Sequence, residues 1–156
     1  MWKPNRRQTT VLALATAIAI PAEGLRQYAY RDVASVITIC YGTTSGVKLG
    51  DYRTLTECKA LLNKDMLHAI ELVESCQPNL PVNVLAAFSD AVYNLGPTIA
   101  CDQTKSTAAR HLAARSFAAA CNQLPAWNKA RVAGALVPLP GLTKRRNQER
   151  ELCLAS

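Results

Sequence analysis

No charged residue interrupts the chain from Thr9 to Ala22 (TTVLALATAIAIPA), while Lys3, Arg6 and Arg7 precede that run. As a helix rising 1.5 Å per residue, the roughly 15 uncharged positions from Gln8 extend about 22 Å, short of the roughly 30 Å hydrocarbon core of a bilayer. A positive start and a short apolar run read as an export signal and as a poor permanent anchor, with Ala17-Ile18-Ala19 as a candidate cleavage site. A buried amino-terminal helix of a cytosolic protein is the plainer alternative. From Tyr28 to Tyr52 the pattern changes. Val33, Val36, Ile37, Thr38, Ile39 and Tyr41 favour strands, and Gly42, Gly46 and Gly50 punctuate them, which predicts two or three short antiparallel strands with Thr38 on one. Helical spacing then returns at Leu62, Met66, Ala69, Ile70 and Val73 up to Cys76, with Thr56 as the expected cap, Glu57 in the first turn, and Pro78 and Pro81 closing the helix. Val82 to Leu95 repeats the pattern through Leu85, Phe88, Val92 and Leu95 and stops at Gly96-Pro97. Shorter helices follow at about 104–114 and 115–124, with His111 as a structural residue on the first. Gly134 to Pro140 reads as a loop, and a last helix runs from there to Cys153. The predicted class is α+β: a small antiparallel sheet lobe joined by a long helix to a larger helical lobe.

A chain of 156 residues, 49% of them hydrophobic, is long enough for one domain with a sizeable core. Lysine and arginine outnumber aspartate and glutamate 18 to 11, a net charge of +7. That balance suits an anionic partner, whether cell wall, membrane surface or nucleic acid. Six cysteines (40, 58, 76, 101, 121 and 153) in a chain with an export-like start predict disulfides in an oxidising compartment. None forms a CxxC pair and only two histidines are present, so no zinc site is expected. One pairing is excluded: on a single helix Cys58 and Cys76 stand about 27 Å apart, far beyond disulfide reach.

The candidate chemistry lies in Glu23-Gly24-Leu25-Arg26-Gln27-Tyr28-Ala29-Tyr30-Arg31-Asp32, with Thr38 and Tyr41-Gly42 following. Glu23 ends an apolar run, which favours the protonated acid; Asp32, between Arg31 and Ser35, is expected to stay ionised. Two carboxyl groups in opposite protonation states suit acid–base work on a glycosidic bond. The spacing of Glu23 and Asp32 is weak evidence by itself, and the residues around them add to it.

Glu23-Gly24, Ala29-Tyr30-x-Asp32 and Thr38-Ile39-x-Tyr41-Gly42 together resemble the active-site segment of the phage-type lysozymes, the endolysin muramidases. Tyr93-Asn94-Leu95-Gly96 is similar to that family's cleft-lining turn, and Asn94 also reads as a helix C-cap. Pro140-Gly141-Leu142-x-x-Arg145-Arg146-x-x-Glu149 resembles its carboxy-terminal signature. The likeness covers about residues 15–153. It implies a lysozyme-like fold and hydrolysis of the β-1,4 bond between N-acetylmuramic acid and N-acetylglucosamine in peptidoglycan, for host cell lysis. Glu23 would be the general acid, Asp32 and Thr38 would position water, and Tyr93, Asn94, Trp127 and Arg145 would bind substrate. No metal or organic cofactor is implied, no nucleic acid, and a monomer. Inversion follows if the two carboxyls stand roughly 6.5–9.5 Å apart. Arg146, Glu149 and Arg150 otherwise read as a solvated helix face. Three departures from the family pattern stand out. Cys40 occupies a usual Gly position. Thr43 occupies a frequent His position, which leaves Asp65 without its partner. Pro21 is expected to distort the helix carrying Glu23.

The same resemblance bears on residues 1–22, read as a signal or signal-anchor-release segment that is partly the domain's first helix, with 23–156 as one lysozyme domain. In the anchor-release form, residues 9–22 tether the protein to the inner membrane after export to the host periplasm, and release without cleavage completes the site. A cleaved signal remains the alternative. A secreted, disulfide-stapled binding protein without activity accounts for charge, cysteines and amino terminus, but not for Glu23, Asp32, Thr38 and Tyr93-Asn94 occurring together. A basic DNA-binding helical domain conflicts with the apolar start and the cysteines.

Overall fold

A computed structural model describes residues 3–155. Residues 1, 2 and 156 lie outside it, the first two being part of the expected export segment. The apolar amino-terminal run forms helix α1 (Arg6–Glu23), which Asn5 caps by accepting from the Gln8 backbone while Gln8 returns the bond. Val11, Ala15 and Ala19 recur every fourth position and form a buried strip on α1. The helix runs through Pro21 to Glu23. Pro21 sits in the last turn, and Gly24 still donates to the Ile20 carbonyl (3.2 Å).

Strands β1 (Arg26–Arg31) and β2 (Ile37–Cys40) pair antiparallel, with Tyr30 opposite Thr38. Single bridges add Tyr28 to Tyr52 and Ile39 to Thr43, so two strands and two bridges make up the sheet lobe. Helix α2 (Leu55–Cys76) follows and is about 33 Å long. Its cap is Thr54, two residues before the expected Thr56. The capping box needs an acid three positions after the cap, and Glu57 stands there relative to Thr54. Helix α3 (Val82–Leu95) has the expected bounds, is buried without interruption from Val84 to Val92, and packs on both α1 and α2.

The chain from Thr98 to Gln123 is divided more finely than its spacing predicts. It forms α4 (Thr98–Cys101), α5 (Thr107–Ala113, capped by Ser106) and α6 (Phe117–Gln123). The expected loop after Gly134 is instead part of a hairpin. Strands β3 (Lys129–Val132) and β4 (Ala135–Pro138) pair in full register around Ala133-Gly134. Both turn residues have positive φ, 51° and 84°, the condition for a tight two-residue hairpin turn. Helix α7 (Pro140–Leu154) closes the fold against α3.

Three disulfides join Cys40 to Cys58, Cys76 to Cys101 and Cys121 to Cys153, and Cys58 and Cys76 have different partners. The first ties the end of β2 to α2. Cys40 has a φ of 64°, a conformation natural to glycine and uncommon for cysteine, and its disulfide holds it there.

Candidate active site

Glu23 sits in the last turn of α1, where the chain leaves the helical lobe for β1, and 21% of its side chain is exposed. Its Oε1 accepts a close ion pair from Nη1 of Arg145 on α7. The apolar surroundings expected for Glu23 are thus replaced by a guanidinium, because α7 packs beside the end of α1. Gly42, just beyond β2, has a φ of 104°, and a β-carbon there would lie 3.1 Å from Glu23 Oε2 and 3.6 Å from the Tyr93 hydroxyl. The Tyr93 hydroxyl in turn donates to the Tyr41 carbonyl at 2.6 Å, fastening α3 to the turn after β2 that carries Gly42. Residues from α1, the turn after β2, α3 and α7 therefore converge on one carboxyl group.

Asp32 begins the turn between β1 and β2. Its Oδ1 accepts from the backbone N–H groups of Ala34 (2.8 Å) and Val36 (2.9 Å). Thr38 is buried on β2 and donates its hydroxyl to the Val36 carbonyl (3.0 Å), which also accepts from the Asp32 N–H (2.9 Å). Asp32 and Thr38 are thus adjacent through one peptide group. No hydrogen bond or ion pair among the described residues joins either to Glu23. Asn94 is half-buried and accepts from Arg146 Nη2 at 3.0 Å, while Gly96 serves as the C-cap of α3. Trp127 is also half-buried, accepts from Arg146 at 3.5 Å through its carbonyl, and lines a groove of about 460 Å³ with Leu95, Lys105 and Lys129. Another cavity, of about 260 Å³, opens on Gly42, Asp65, His68 and Tyr93.

A model of the phage lysozyme family matches residues 21–149, most of the chain. The chain belongs to the phage lysozyme family. It is 38% identical over 155 residues to the SAR-endolysin of Pseudomonas phage phiKMV, covering 99% of this chain and 93% of that protein. Among solved structures it is similar to the active form of the P1 phage endolysin Lyz, with 26% identity, a TM-score of 0.79 and coverage of 94% and 91% of the two chains. It is also similar to the muramidase domain of SpmX from Asticaccaulis excentricus, with 25% identity, a TM-score of 0.80 and full coverage of both chains. The protein is therefore a lysozyme-class glycoside hydrolase of the endolysin type.

One departure from the phage lysozyme pattern is resolved by a contact, and one expectation about α7 is corrected. Asp65, expected to lack a partner, accepts from the Thr43 hydroxyl at 2.8 Å, so threonine supplies the hydrogen bond from the same position. Arg146 and Glu149, expected on a solvated face, are both fully buried and form a two-pronged pair at 2.5 and 2.7 Å. The helical lobe covers that side of α7 with α3 and α6.

Spacing gave no hint of Asp90. It is the only acid on α3, is completely buried, and accepts from Arg145 Nε at 2.9 Å and Nη2 at 2.8 Å. A lone acid inside AAFSDAV was its one available signal, since a buried carboxylate requires a cation or a proton. Burial opposes the charge of Arg145, but the hydrogen bonds and charge of Asp90, with Glu23 adding to them, hold it protonated above its usual range. Burial, followed by the charge of Glu23, pushes the Tyr93 phenol up. Burial and then the hydrogen bond with Asp90 push the Glu149 carboxyl well up, against the pull of Arg146.

Proposed function

We propose that this endolysin hydrolyses the β-1,4 bond between N-acetylmuramic acid and N-acetylglucosamine, with Glu23 as the general acid. The observation that carries this reading is the exposure of Glu23. It is held by Arg145 beside the backbone of Gly42 and is still reachable from solvent, whereas Asp90 and Glu149 are sealed. Glu23 donates its proton to the leaving oxygen. Asp32 has Oδ1 committed to two backbone donors, and its Oδ2 has no protein partner among the described residues. Oδ2 and the Thr38 hydroxyl oxygen then hold the attacking water on the face of the sugar opposite Glu23; the water oxygen bonds the sugar carbon as the glycosidic C–O bond breaks, Asp32 takes the water's proton, and the reaction inverts. Tyr93, Asn94 and Trp127 border the bound glycan, while Arg145, taken up by Asp90 and Glu23, acts through Glu23. The chemistry draws on side chains alone, and the enzyme acts as a monomer on peptidoglycan. Analysis of the fresh product from purified peptidoglycan tests the reading. A new reducing N-acetylmuramic acid end in the α configuration supports it, and a β product or an anhydro end contradicts it.

Export and tethering belong to the same proposal. The relative named a SAR-endolysin and the uncharged run 9–22 support a signal-anchor-release segment that holds the protein on the inner membrane of the host. Among the described residues no helix is long and apolar enough to cross a membrane. A short, alanine-rich span of this kind can leave the bilayer when the membrane potential collapses. Val11, Ala15 and Ala19 of α1 are buried in the enzyme core, so removing residues 1–19 would strip Glu23 of its helix. Release therefore occurs without cleavage. Full-length mass of the soluble periplasmic protein after depolarisation supports this; loss of about nineteen residues, as expected for signal cleavage, overturns it.

A further inference from the structure

A general acid in contact with arginine poses a chemical problem, because the cation that fixes the carboxyl group also favours its charged form. The guanidinium of Arg145 is shared. Nε and Nη2 face Asp90 at 2.9 and 2.8 Å, and Nη1 faces Glu23. We infer that Asp90 is a positioning residue for Glu23: it locks the Arg145 fork in one orientation and offsets its charge, so that Arg145 holds the Glu23 carboxyl group in place. The inference rests on Glu23 being the general acid.

The burial of the parts supports this division of labour. Asp90 is completely buried and the Arg145 side chain is 4% exposed, so their pair is shielded from water, while Glu23 remains 21% exposed. A two-pronged contact leaves the guanidinium plane little freedom, and the third nitrogen is aimed by the other two. Charged and titratable groups meet Glu23 and Asp90 from several sides. Arg145 and Glu149 come from α7 and Tyr93 from α3. The Arg146–Glu149 pair lies behind Asp90, the segment after β2 brings the backbone of Gly42 to Glu23, and α2 brings Asp65 and His68 to the cavity that Gly42 and Tyr93 line. Arg145 and Asp90 therefore balance each other beside the acid, and removing one leaves Glu23 facing the other.

Asp90→Asn tests this on purified peptidoglycan, with hydrolysis measured from about pH 4 to 9. Loss of the Asp90 charge exposes Glu23 to an unbalanced guanidinium. The alkaline limb of the profile then moves to lower pH by about one to two units, as for a unit charge removed ~6–8 Å away at an effective dielectric of ~20. A folded Asp90→Asn enzyme whose limb stays at the wild-type position overturns the inference, even if its melting temperature falls. If the single variant does not fold, the double variant Asp90→Leu/Arg145→Met removes both charges with apolar groups. Its alkaline limb is expected at or above the wild-type position, and a limb below it overturns the inference. Glu23→Gln, run alongside, separates the two claims. A fully active Glu23→Gln enzyme defeats the acid assignment itself, whereas an inactive one with an unshifted Asp90→Asn limb defeats only the role of Asp90.

Discussion

Gly42→Ala isolates the close approach on which the site is built. A methyl group there would stand 3.1 Å from Glu23 Oε2 and 3.6 Å from the Tyr93 hydroxyl, at a φ of 104°. Backbone strain alone should cost about 2 kcal/mol, which lowers the melting temperature by about 4–8 °C in a domain of this size. The methyl also forces Glu23 away by a few tenths of an ångström, the relief such a contact demands. A misplacement of about 1 Å at a reacting group can cost about 100-fold in rate, so a loss of roughly 10-fold is expected from this smaller one. Gly50→Ala is the matched control. Its φ of 95° is close to that of Gly42, yet nothing lies within 4 Å of the added carbon. Calorimetry and peptidoglycan hydrolysis on both variants, at a temperature where both are folded, separate strain from displacement. Similar melting losses are expected, with activity lost only at position 42. Equal activities for the two folded variants would refute the view that Gly42 sets the position of Glu23.

Tyr93 has its proton held more tightly in the fold than in the unfolded chain, so it contributes stability that is complete below about pH 10 and falls as pH rises above that value. Urea titrations should show Tyr93→Phe losing less stability than wild type between about pH 9 and 11; parallel losses would count against the burial of the phenol. Arg146→Met leaves Glu149 buried without its cation and should destabilise by about 3–5 kcal/mol, whereas Arg146→Met/Glu149→Met should recover most of it in the same unfolding experiment. Replacing both Cys121 and Cys153 by Ser opens a loop of 32 residues and should cost about 3–4 kcal/mol, read from denaturant midpoints.

Where a residue's contacts lie close in sequence or follow a period, the sequence reading and the structure agree. The buried stripes of α2 and α3, Thr38 on a strand and the exclusion of a Cys58–Cys76 disulfide came from spacing. The β3–β4 hairpin escaped because its turn is Ala133-Gly134, and alanine at positive φ is not the Asn or Asp that marks such turns. The charged run of α7 misled for a different reason. Arg146 and Glu149 read as surface by composition, and only the arrival of α3, more than fifty positions earlier in the chain, turns them together with Arg145 into a buried network. Asp90 was hidden by the same long-range pairing. Glu23 and Arg145 lie on α1 and α7, 122 positions apart, and no local pattern reports that contact.

In the proposed mechanism the Glu23 carboxyl group supplies the proton that breaks the glycan. Lysis of chloroform-treated Gram-negative cells by Glu23→Gln, set against wild type and checked for native folding by circular dichroism, tests it most directly. Glutamine keeps the shape and can still accept from Arg145, but it has no acidic proton, so a loss of at least about 100-fold is expected with the fold unchanged. Lysis at or near the wild-type rate by the folded variant would contradict it.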